Sequence, residues 1–305
     1  MAVSCARFGL REMFLGGVRS LEELRSRLAL KGAEAEIDAR DLVHKEINDL
    51  IRDAALGGAR KITLYNVCGQ RYIGTRLFLP EREEKIEMHV YSTPGNDLGA
   101  FLSGHRIVVY GNAQDGVGNT MDDGEIVVHG RAGDIVGMSM RGGKVFIRDS
   151  VGYRAAIHMK EYTGKVPVLI IGGTAQDFFG EYMAGGVVIL LGLNLQPGER
   201  HHAHYMGTGM HGGVIYLRGE VAPYQLGKEV GVLELDDSDR RVLERHVGEF
   251  AAASARTPPA SWTPVFNNFL LGVSRRPHGG FTLLIMVLLQ RLRHQRRCFS
   301  FHISR

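Results

Sequence analysis

A glycine-rich unit of about 20 residues recurs through the middle of the chain and limits the folds open to it. Residues 92–219 hold 26 of the 40 glycines. A typical copy has a leading glycine, a short spacer and then an apolar strand between two further glycines, as in Gly118…Gly124-Glu-Ile-Val-Val-His-Gly130, while the copy that follows ends in Asp149 and the one at 164–172 is looser. The middle glycine of the unit falls at six positions: Gly104, Gly124, Gly143, Gly164, Gly186 and Gly213.

This period indicates a solenoid in which each copy forms one coil and contributes one strand. Glycine suits the corners because it adopts positive φ without steric cost, and the Ile/Val pairs of successive coils would stack into a continuous core. A helical interpretation fails because helices tolerate this glycine density poorly, and a flexible linker would lack the regular apolar strands. We therefore predict a mainly β fold, a parallel β-helix of about 20 residues per coil and roughly six to seven coils, with short flanking α-helices.

Helix and strand patterns flank the repeat. Ser20 and Glu23 form a capping-box pattern at the start of a helix that Gly32 is expected to end. The other predicted elements are a helix over 39–56 with Leu42, Val43, Ile47, Leu50, Ile51 and Ala54 on one face, strands over 61–67 and around Ile86, Met88 and Val90, and a helix from Ser238 to about Phe250 with Val242, Leu243 and Val247 inward.

The chain divides by composition into five stretches. They are an N-terminal extension over 1–19, a mixed α/β lead-in over 20–91, the glycine-repeat β-helix over 92–232, a helix and connector over 233–280, and a basic tail over 281–305. After Glu249 the chain has eight arginines and no acidic residue. The whole chain has a net charge of +4, whereas residues 1–249 alone have a net charge of −4. An artefact of the gene model or reading frame is one explanation for 282–305 and for 1–17. A basic amphipathic segment that contacts a membrane or nucleic acid is the other explanation for the tail.

The cysteines and apolar runs bear on the compartment. Cys5, Cys68 and Cys298 are far apart and form no Cys-x-x-Cys pair, which argues against a disulfide scaffold, a zinc site or an iron–sulfur cluster held by this chain alone. The start of the chain has no long apolar segment typical of a signal peptide, and the run at 283–289 is far too short to span a bilayer. We expect a cytoplasmic protein without a membrane or nucleic-acid partner.

Three groups of residues invite a chemical interpretation, and for each a structural one is favoured. The Gly-x-Gly-x-x-Gly match at 207–212 precedes a strand, whereas a dinucleotide site needs a helix there. The histidines at 201–204, with His211 nearby, suggest a metal site, but this segment is an insertion between coils and is expected to be a solvated loop. The acids of the repeat loops suggest a polysaccharide-cleaving site, but they fall in turns, where aspartate is favoured because its side chain forms local hydrogen bonds. The residues are His201, His202, His204 and His211, and Asp115, Asp122, Asp123, Asp134, Asp177 and Glu181.

The repeat block resembles the GXGXG domain, the C-terminal domain of the glutamate synthase large subunit. The matching residues are 111–137, 179–193 and 207–217, and residues 66–77 are similar to the segment that leads into this domain in stand-alone relatives. The resemblance covers about 37–250. A similar repeat occurs in the C subunit of formylmethanofuran dehydrogenase.

The resemblance implies a right-handed β-helix without catalytic residues. In the family this domain braces a glutamine amidotransferase domain against a synthase domain that carries FMN and iron–sulfur clusters. The chain lacks a catalytic cysteine at position 2 and a cysteine cluster, so we predict no catalytic, cofactor-binding or metal-binding residue in it. The implied function is a non-catalytic subunit of a complex that forms glutamate or, as in methylamine–glutamate N-methyltransferase, N-methylglutamate.

Under that interpretation the partners are a glutamine amidotransferase subunit and an FMN-dependent glutamate synthase subunit, and FMN and iron–sulfur clusters belong to the partners. Two alternatives stay open. One is a C-type subunit of a formylmethanofuran dehydrogenase or formyltransferase/hydrolase complex. The other is an independent β-helix carbohydrate-active enzyme.

Overall fold

The computed structural model describes residues 19–75, 77 and 84–254, together with the backbone of two short strands, Phe269–Leu270 and Met286–Val287. Apart from residue 19 and the strand at 286–287, the predicted N-terminal extension and basic tail lie outside the described residues. So does the connector, apart from the strand at 269–270.

The described residues form one sheet with a few helices. The α-helices are α1 (Leu21–Arg25), α2 (His44–Leu56) and α3 (Asp237–Ser254), and a 3-10 turn spans Pro223–Gln225. The strands are β1 (Leu28–Lys31), β2 (Glu34–Asp38), β3 (Lys61–Cys68), β4 (Glu87–Thr93), β5 (Arg106–Tyr110), β6 (Glu125–Val128), β7 (Lys144–Ile147), β8 (Val168–Ile171), β9 (Ala184–Leu190), β10 (Gly212–Arg218), β11 (Phe269–Leu270) and β12 (Met286–Val287).

The strands lie in chain order from β1 to β10, and β11 and β12 both pair with β10. β1 and β2 are antiparallel, whereas every neighbouring pair from β2 to β10 is parallel. The register stacks equivalent residues of the repeat, so that Ile107 lies beside Ile126 and Val109 beside Val128. The prediction of a mainly β fold with parallel strands is confirmed, and the sheet is open, with β1 at one edge.

The strands of the repeat are apolar on both faces, and both faces are buried. Alternate residues such as Ile126 and Val128 point into the main core, which extends through all the coils. The residues between them, such as Val127 and Phe146, form a second cluster on the outer face with Leu243, Val247 and Phe250 of α3. Parallel strands typically need cover on both sides because they carry apolar residues on both.

Helix α3 crosses the outer face from β10 toward β6. At its N-terminal end Asp239 meets Tyr216 of β10. At its C-terminal end Phe250 packs edge-on against Phe146 of β7, with ring centroids 6.0 Å apart, and Glu249 pairs with Lys144 at 2.8 Å. Ala253, in the last turn, packs against the same outer cluster.

The prediction of a first helix from Ser20 to Gly32 is largely wrong. Ser20 does cap it, since its hydroxyl accepts a hydrogen bond from the Glu23 N–H at 3.1 Å, but α1 ends at Arg25. The residues up to Lys31 form β1 and pair antiparallel with β2. Gly32, with φ of 59°, lies in the tight turn of this hairpin and does not end a helix. Sheet pairing therefore overrides the local helix preference of the segment.

The other two predicted helices form with different starts. α2 begins at His44, with Val43 exposed just before it, while Ile47, Leu50, Ile51 and Ala54 are buried as predicted. α3 begins at Asp237 and is capped by Asp236 and not by Ser238. The Oδ1 of Asp236 accepts hydrogen bonds from the backbone N–H groups of Ser238 and Asp239 at 2.7 and 2.9 Å.

Candidate interaction surface

Between successive strands, each copy of the repeat contains three left-handed residues at alternate positions. Their φ angles lie between 51° and 72° in six successive coils. The positions are 97, 99 and 101; 116, 118 and 120; 135, 137 and 139; 154, 156 and 158; 178, 180 and 182; and 205, 207 and 209. We call this column of turns the left-handed ladder.

Each set of three left-handed residues is one rung of the ladder, and backbone hydrogen bonds join successive rungs. In the coil at 116–120, the N–H groups of Gly116 and Thr120 donate hydrogen bonds to the backbone carbonyl oxygens of Asp134 and Met138 in the next coil, at 2.9 and 2.8 Å. The N–H of Gly118 donates the other way, to Leu98 of the preceding coil at 2.9 Å. Successive copies of the repeat are therefore joined by main-chain hydrogen bonds at these turns as well as through the sheet.

The two kinds of ladder position have different side-chain requirements. The middle one of the three residues packs against the core, and its crowding differs between copies. A Cβ on Gly118 would lie 2.8 Å from Cγ2 of Val145, one on Gly137 would lie 3.5 Å from its nearest neighbour, and the copy at 154–158 has Ala156 there. The outer positions face solvent and carry large residues such as Phe101, Tyr182 and Tyr205, all exposed. Sequence reasoning noticed the leading glycines of the repeat, such as Gly118, but missed the left-handed role of their non-glycine neighbours.

Of the six repeat glycines singled out from the sequence, Gly104, Gly124, Gly143 and Gly164 lie at corners that precede strands, whereas Gly186 and Gly213 lie near the starts of β9 and β10. Their φ angles are 80° at Gly104, 100° at Gly124, 75° at Gly143, 78° at Gly164, 96° at Gly186 and 87° at Gly213. At Gly124 a Cβ would lie 2.2 Å from the carbonyl oxygen of His105, whereas at Gly104 and Gly164 it would meet nothing within 4 Å. Close packing is thus a second constraint at some corners only.

The acids of the repeat loops mainly bridge coils. Oδ1 of Asp115 accepts a hydrogen bond from the N–H of Asp134 at 2.9 Å, and Oδ1 of Asp134 accepts one from Tyr153 at 2.8 Å. Oδ1 of Asp177 accepts a hydrogen bond from the backbone N–H of His204 at 2.8 Å. These bonds connect one coil to the next, so the interpretation of these acids as locally bonded turn residues is wrong in its geometry.

The remaining acids are also engaged. Asp122 pairs with Lys165 at 3.2 Å, Asp123 accepts a hydrogen bond from the N–H of Gly124 at 2.7 Å, and Glu181 pairs with Arg154. Over the described part of the chain, no group of three or more His, Cys, Asp or Glu side chains is placed to hold a metal ion.

The four histidines at 201–211 lie in different surroundings. His201 is buried, its Nε2 is 2.9 Å from the Arg218 carbonyl oxygen, and burial lowers the pKa of its imidazole. His202 and His204 lie beside Glu199 and Asp177 at 3.1 and 3.4 Å, and His211 is exposed. The expectation of a solvated loop is therefore wrong for His201. The nearby 207–212 segment supplies the last ladder rung and leads into β10.

Aromatic side chains stack along the C-terminal half of the ladder. Phe178 stacks on Tyr205 with ring centroids 5.0 Å apart, and His158 stacks on Tyr182 at 5.5 Å. The guanidinium of Arg154 lies over Phe178, 4.5 Å from its centroid. These rings form an aromatic surface that spans three coils, in which His158, Tyr182 and Tyr205 are exposed and Phe178 is half-buried.

A second stack lies on the outer face of the sheet. Tyr65, Tyr91, Tyr110 and His129 follow one another across β3, β4, β5 and the end of β6, with ring centroids 5.4, 4.7 and 5.4 Å apart. Nδ1 of His89 is 3.0 Å from the Tyr110 hydroxyl. We call these rings the tyrosine column.

A parallel sheet built from glycine-cornered repeats, with left-handed turns joined by main-chain bonds, defines a repeat protein of the Gly-x-Gly-x-Gly type. The chain belongs to the GXGXG motif family, whose model matches residues 61–273. It is 43% identical over 262 residues to the uncharacterized protein MJ1350 of Methanocaldococcus jannaschii, an alignment that covers 82% of this chain and 97% of the relative. No helix among the described residues is both long and apolar enough to cross a membrane.

Proposed function

We propose that this chain is a non-catalytic structural subunit of a glutamate-synthase-like complex. It would brace a glutamine amidotransferase subunit against an FMN-dependent synthase subunit that carries iron–sulfur clusters. The family match over 61–273 supports this assignment, because membership of the GXGXG family suggests a subunit of this kind. The product of the complex is glutamate or N-methylglutamate, and the complex is cytoplasmic.

In this proposal residues 92–232 form a right-handed β-helix that acts as a rigid strut. Two observations support coils of this form. Consecutive strands are adjacent and parallel, an arrangement whose connections are nearly always right-handed. The turns between the strands are also bonded coil to coil, and a stack joined at its turns as well as through its sheet resists bending.

The observation that carries the proposal is the contrast between the polar and aromatic side chains of the ladder. The loop acids and Arg154 bond to other parts of the same chain. The large aromatic side chains Phe101, Tyr182 and Tyr205 are exposed instead. Aromatic residues and arginine are enriched where proteins contact one another, so the ladder is suited to binding a partner subunit.

Affinity purification from the native cell tests the proposal. A tagged chain should bring down both an amidotransferase and a yellow FMN protein, while the chain purified alone should be colourless and should neither release ammonia from glutamine nor form glutamate. Substituting both Tyr182→Ala and Tyr205→Ala should reduce recovery of a partner. Tyr162→Ala, which removes an exposed tyrosine outside the ladder rungs, is the matched control and should not.

Three results would overturn the proposal. They are turnover or bound flavin in the isolated chain, a stable complex with molybdenum or tungsten enzyme subunits, and cleavage of a polysaccharide by the isolated chain. The second would assign the chain to a formylmethanofuran-type complex, and the third to the carbohydrate-active enzymes.

A further inference from the structure

The apolar residues of neighbouring strands in the repeat are nearly interchangeable. β5 begins Arg-Ile-Val-Val and β6 begins Glu-Ile-Val-Val, and β7 reads Lys-Val-Phe-Ile. Burial of these apolar residues does not by itself distinguish one neighbour from another. Wrong assembly of similar units is a characteristic failure of repeat proteins, so the residue that does differ between these strands, the charged first one, is the one to follow.

One row of charged residues on the outer face of the sheet alternates strictly in sign. Because alternate residues of a strand point to the same face, Arg106 shares its face with Val108 of the outer cluster. Each member from β1 to β7 is the register partner of the next. At β8 the register partner of Lys144 is Val168, and Glu249 of α3 supplies the next negative charge. We call these residues the charge row: Lys31, Glu34, Lys61, Glu87, Arg106, Glu125, Lys144 and Glu249.

Ion pairs join neighbours along the charge row. Nζ of Lys61 is 3.0 Å from Oε1 of Glu34, and Nζ of Lys144 is 2.8 Å from Oε1 of Glu249. The guanidinium of Arg106 pairs with both of its neighbours, with Glu125 at 2.7 Å and with Glu87. A single ion pair at a partly exposed site contributes little, but in a network each charge is held between two opposite ones.

We propose that the charge row is an electrostatic code that selects which strands lie side by side. If β5 were skipped, Glu87 would face Glu125, and if β6 were skipped, Arg106 would face Lys144. Like charges on neighbouring strands repel each other. A shift of two residues along β5 is also disfavoured, because Glu87 would then lie beside Val108 and lose its partner. Wrong stacking therefore loses attraction and gains repulsion while the apolar contacts stay similar.

Charge reversals that create different numbers of like contacts test the code. Arg106→Glu creates a like contact on each side, with Glu87 and with Glu125. A short block, Lys31→Glu with Glu34→Lys and Lys61→Glu, creates a like contact only between positions 61 and 87. A long block, which adds Glu87→Lys and Arg106→Glu to the short one, creates a like contact only between positions 106 and 125.

Thermal unfolding at low ionic strength should rank the variants by like contacts and not by substitutions. The two blocks should unfold at similar temperatures, between the unsubstituted chain and Arg106→Glu, although the long block carries more substitutions. The differences should narrow in about 1 M salt, where the Debye length is about 3 Å. Recovery of folded protein after dilution from urea should follow the same order, because a row with like contacts no longer favours the native neighbours.

Two single substitutions are the controls. Arg106→Gln removes the charge without creating a like contact, so it should be less destabilised than Arg106→Glu. Lys160→Glu makes the same change in net charge at an exposed lysine outside the charge row, and it should leave the unfolding temperature nearly unchanged.

Three results would overturn the inference. They are a loss that grows with the number of substitutions, differences that salt does not narrow, and complete refolding of every variant. If Arg106→Glu does not fold, the two blocks still decide, since the inference requires them to unfold together and a dependence on substitutions requires the long block to unfold first. The test uses the isolated chain and does not depend on the partners proposed for it.

Discussion

The hydroxyl of Tyr216 in β10 donates a 2.8 Å hydrogen bond to Oδ1 of Asp239 in the first turn of α3. Tyr216 is buried, and burial together with this hydrogen bond raises the pKa of its phenol well above the usual range. The bond holds the N-terminal end of α3 on the outer face, while Phe146 and Phe250 hold the other end. The helix therefore covers the sheet through contacts far apart in sequence.

Removing the Tyr216 hydroxyl should loosen α3. We expect Tyr216→Phe to lower the free energy of unfolding by about 1–2 kcal/mol, because the hydroxyl has a charged partner and lies in a buried position. Tyr224→Phe, at a tyrosine that is 71% exposed, should change it by less than about 0.5 kcal/mol. Urea unfolding followed by circular dichroism compares the two; equal effects would contradict the role of the Tyr216 bond.

Corner glycines should differ in their tolerance of alanine. Gly124→Ala combines a φ of 100° with a Cβ 2.2 Å from a carbonyl oxygen. It should therefore cost more than the 1–3 kcal/mol, roughly, of backbone strain alone. Gly104→Ala, at φ 80° with open space around it, should cost only about 1 kcal/mol.

Gly248→Ala is the control for that pair, since Gly248 lies in α3 with no atom within 4 Å of the added Cβ. It should be neutral or stabilising by up to about 1 kcal/mol, the helix propensity difference. Thermal unfolding of the three variants should rank them Gly124, Gly104 and Gly248 from most to least destabilised. Any other order would argue against crowding at the Gly124 corner.

Acid should release the N-terminal end of α3. The hydrogen bond from the Ser238 hydroxyl, with the backbone N–H of Asp239, lowers the pKa of Asp236 to about 2. An unfolded aspartate titrates near pH 3.9, roughly. Because the folded pKa is the lower one, the cap stabilises the helix above about pH 4 and is lost as the pH falls toward about 2.

Asp236→Asn should remove that pH dependence, since asparagine also caps helices but does not titrate in this range. Asp237→Asn, at an almost fully exposed carboxylate, should keep it. Amide hydrogen exchange in α3 between pH 5 and pH 2.5, corrected for the intrinsic rate, reads the difference. An identical pH profile in both variants would show that Asp236 is not the group responsible.

The loop acids should behave as structural groups. Asp134→Ala removes the hydrogen bond to the Tyr153 N–H and should lower the free energy of unfolding by about 1 kcal/mol. Asp134→Asn should cost less, because its amide oxygen also accepts a hydrogen bond. Chemical denaturation measures both; an Asn variant as destabilised as the Ala variant would show that the negative charge, rather than an acceptor at this position, is what matters.

Much of the fold could be read from local patterns. The spacing of Gly104, Gly124 and Gly143 and the apolar strands after them predicted parallel strands stacked in chain order, because a solenoid repeats the same contacts in every coil. The burial of Ile47, Leu50 and Ile51 followed from helical periodicity in the same way. The sequence favours structural roles for the histidines near 201–211 and for the loop acids, but it does not predict that Asp115 and Asp134 bridge successive coils.

The structural features that local sequence patterns do not predict depend on contacts between distant residues. The segment ending at Lys31 carries a helix pattern, yet it becomes a strand because β2 is available to pair with it. Phe101 and Tyr182 adopt left-handed conformations that their types disfavour, because each N–H is held by a carbonyl of the next coil. The cover on the outer face of the sheet depends on the packing of α3 over β6 to β10, which requires contacts between residues more than 100 positions apart in the chain, such as Phe146 and Phe250.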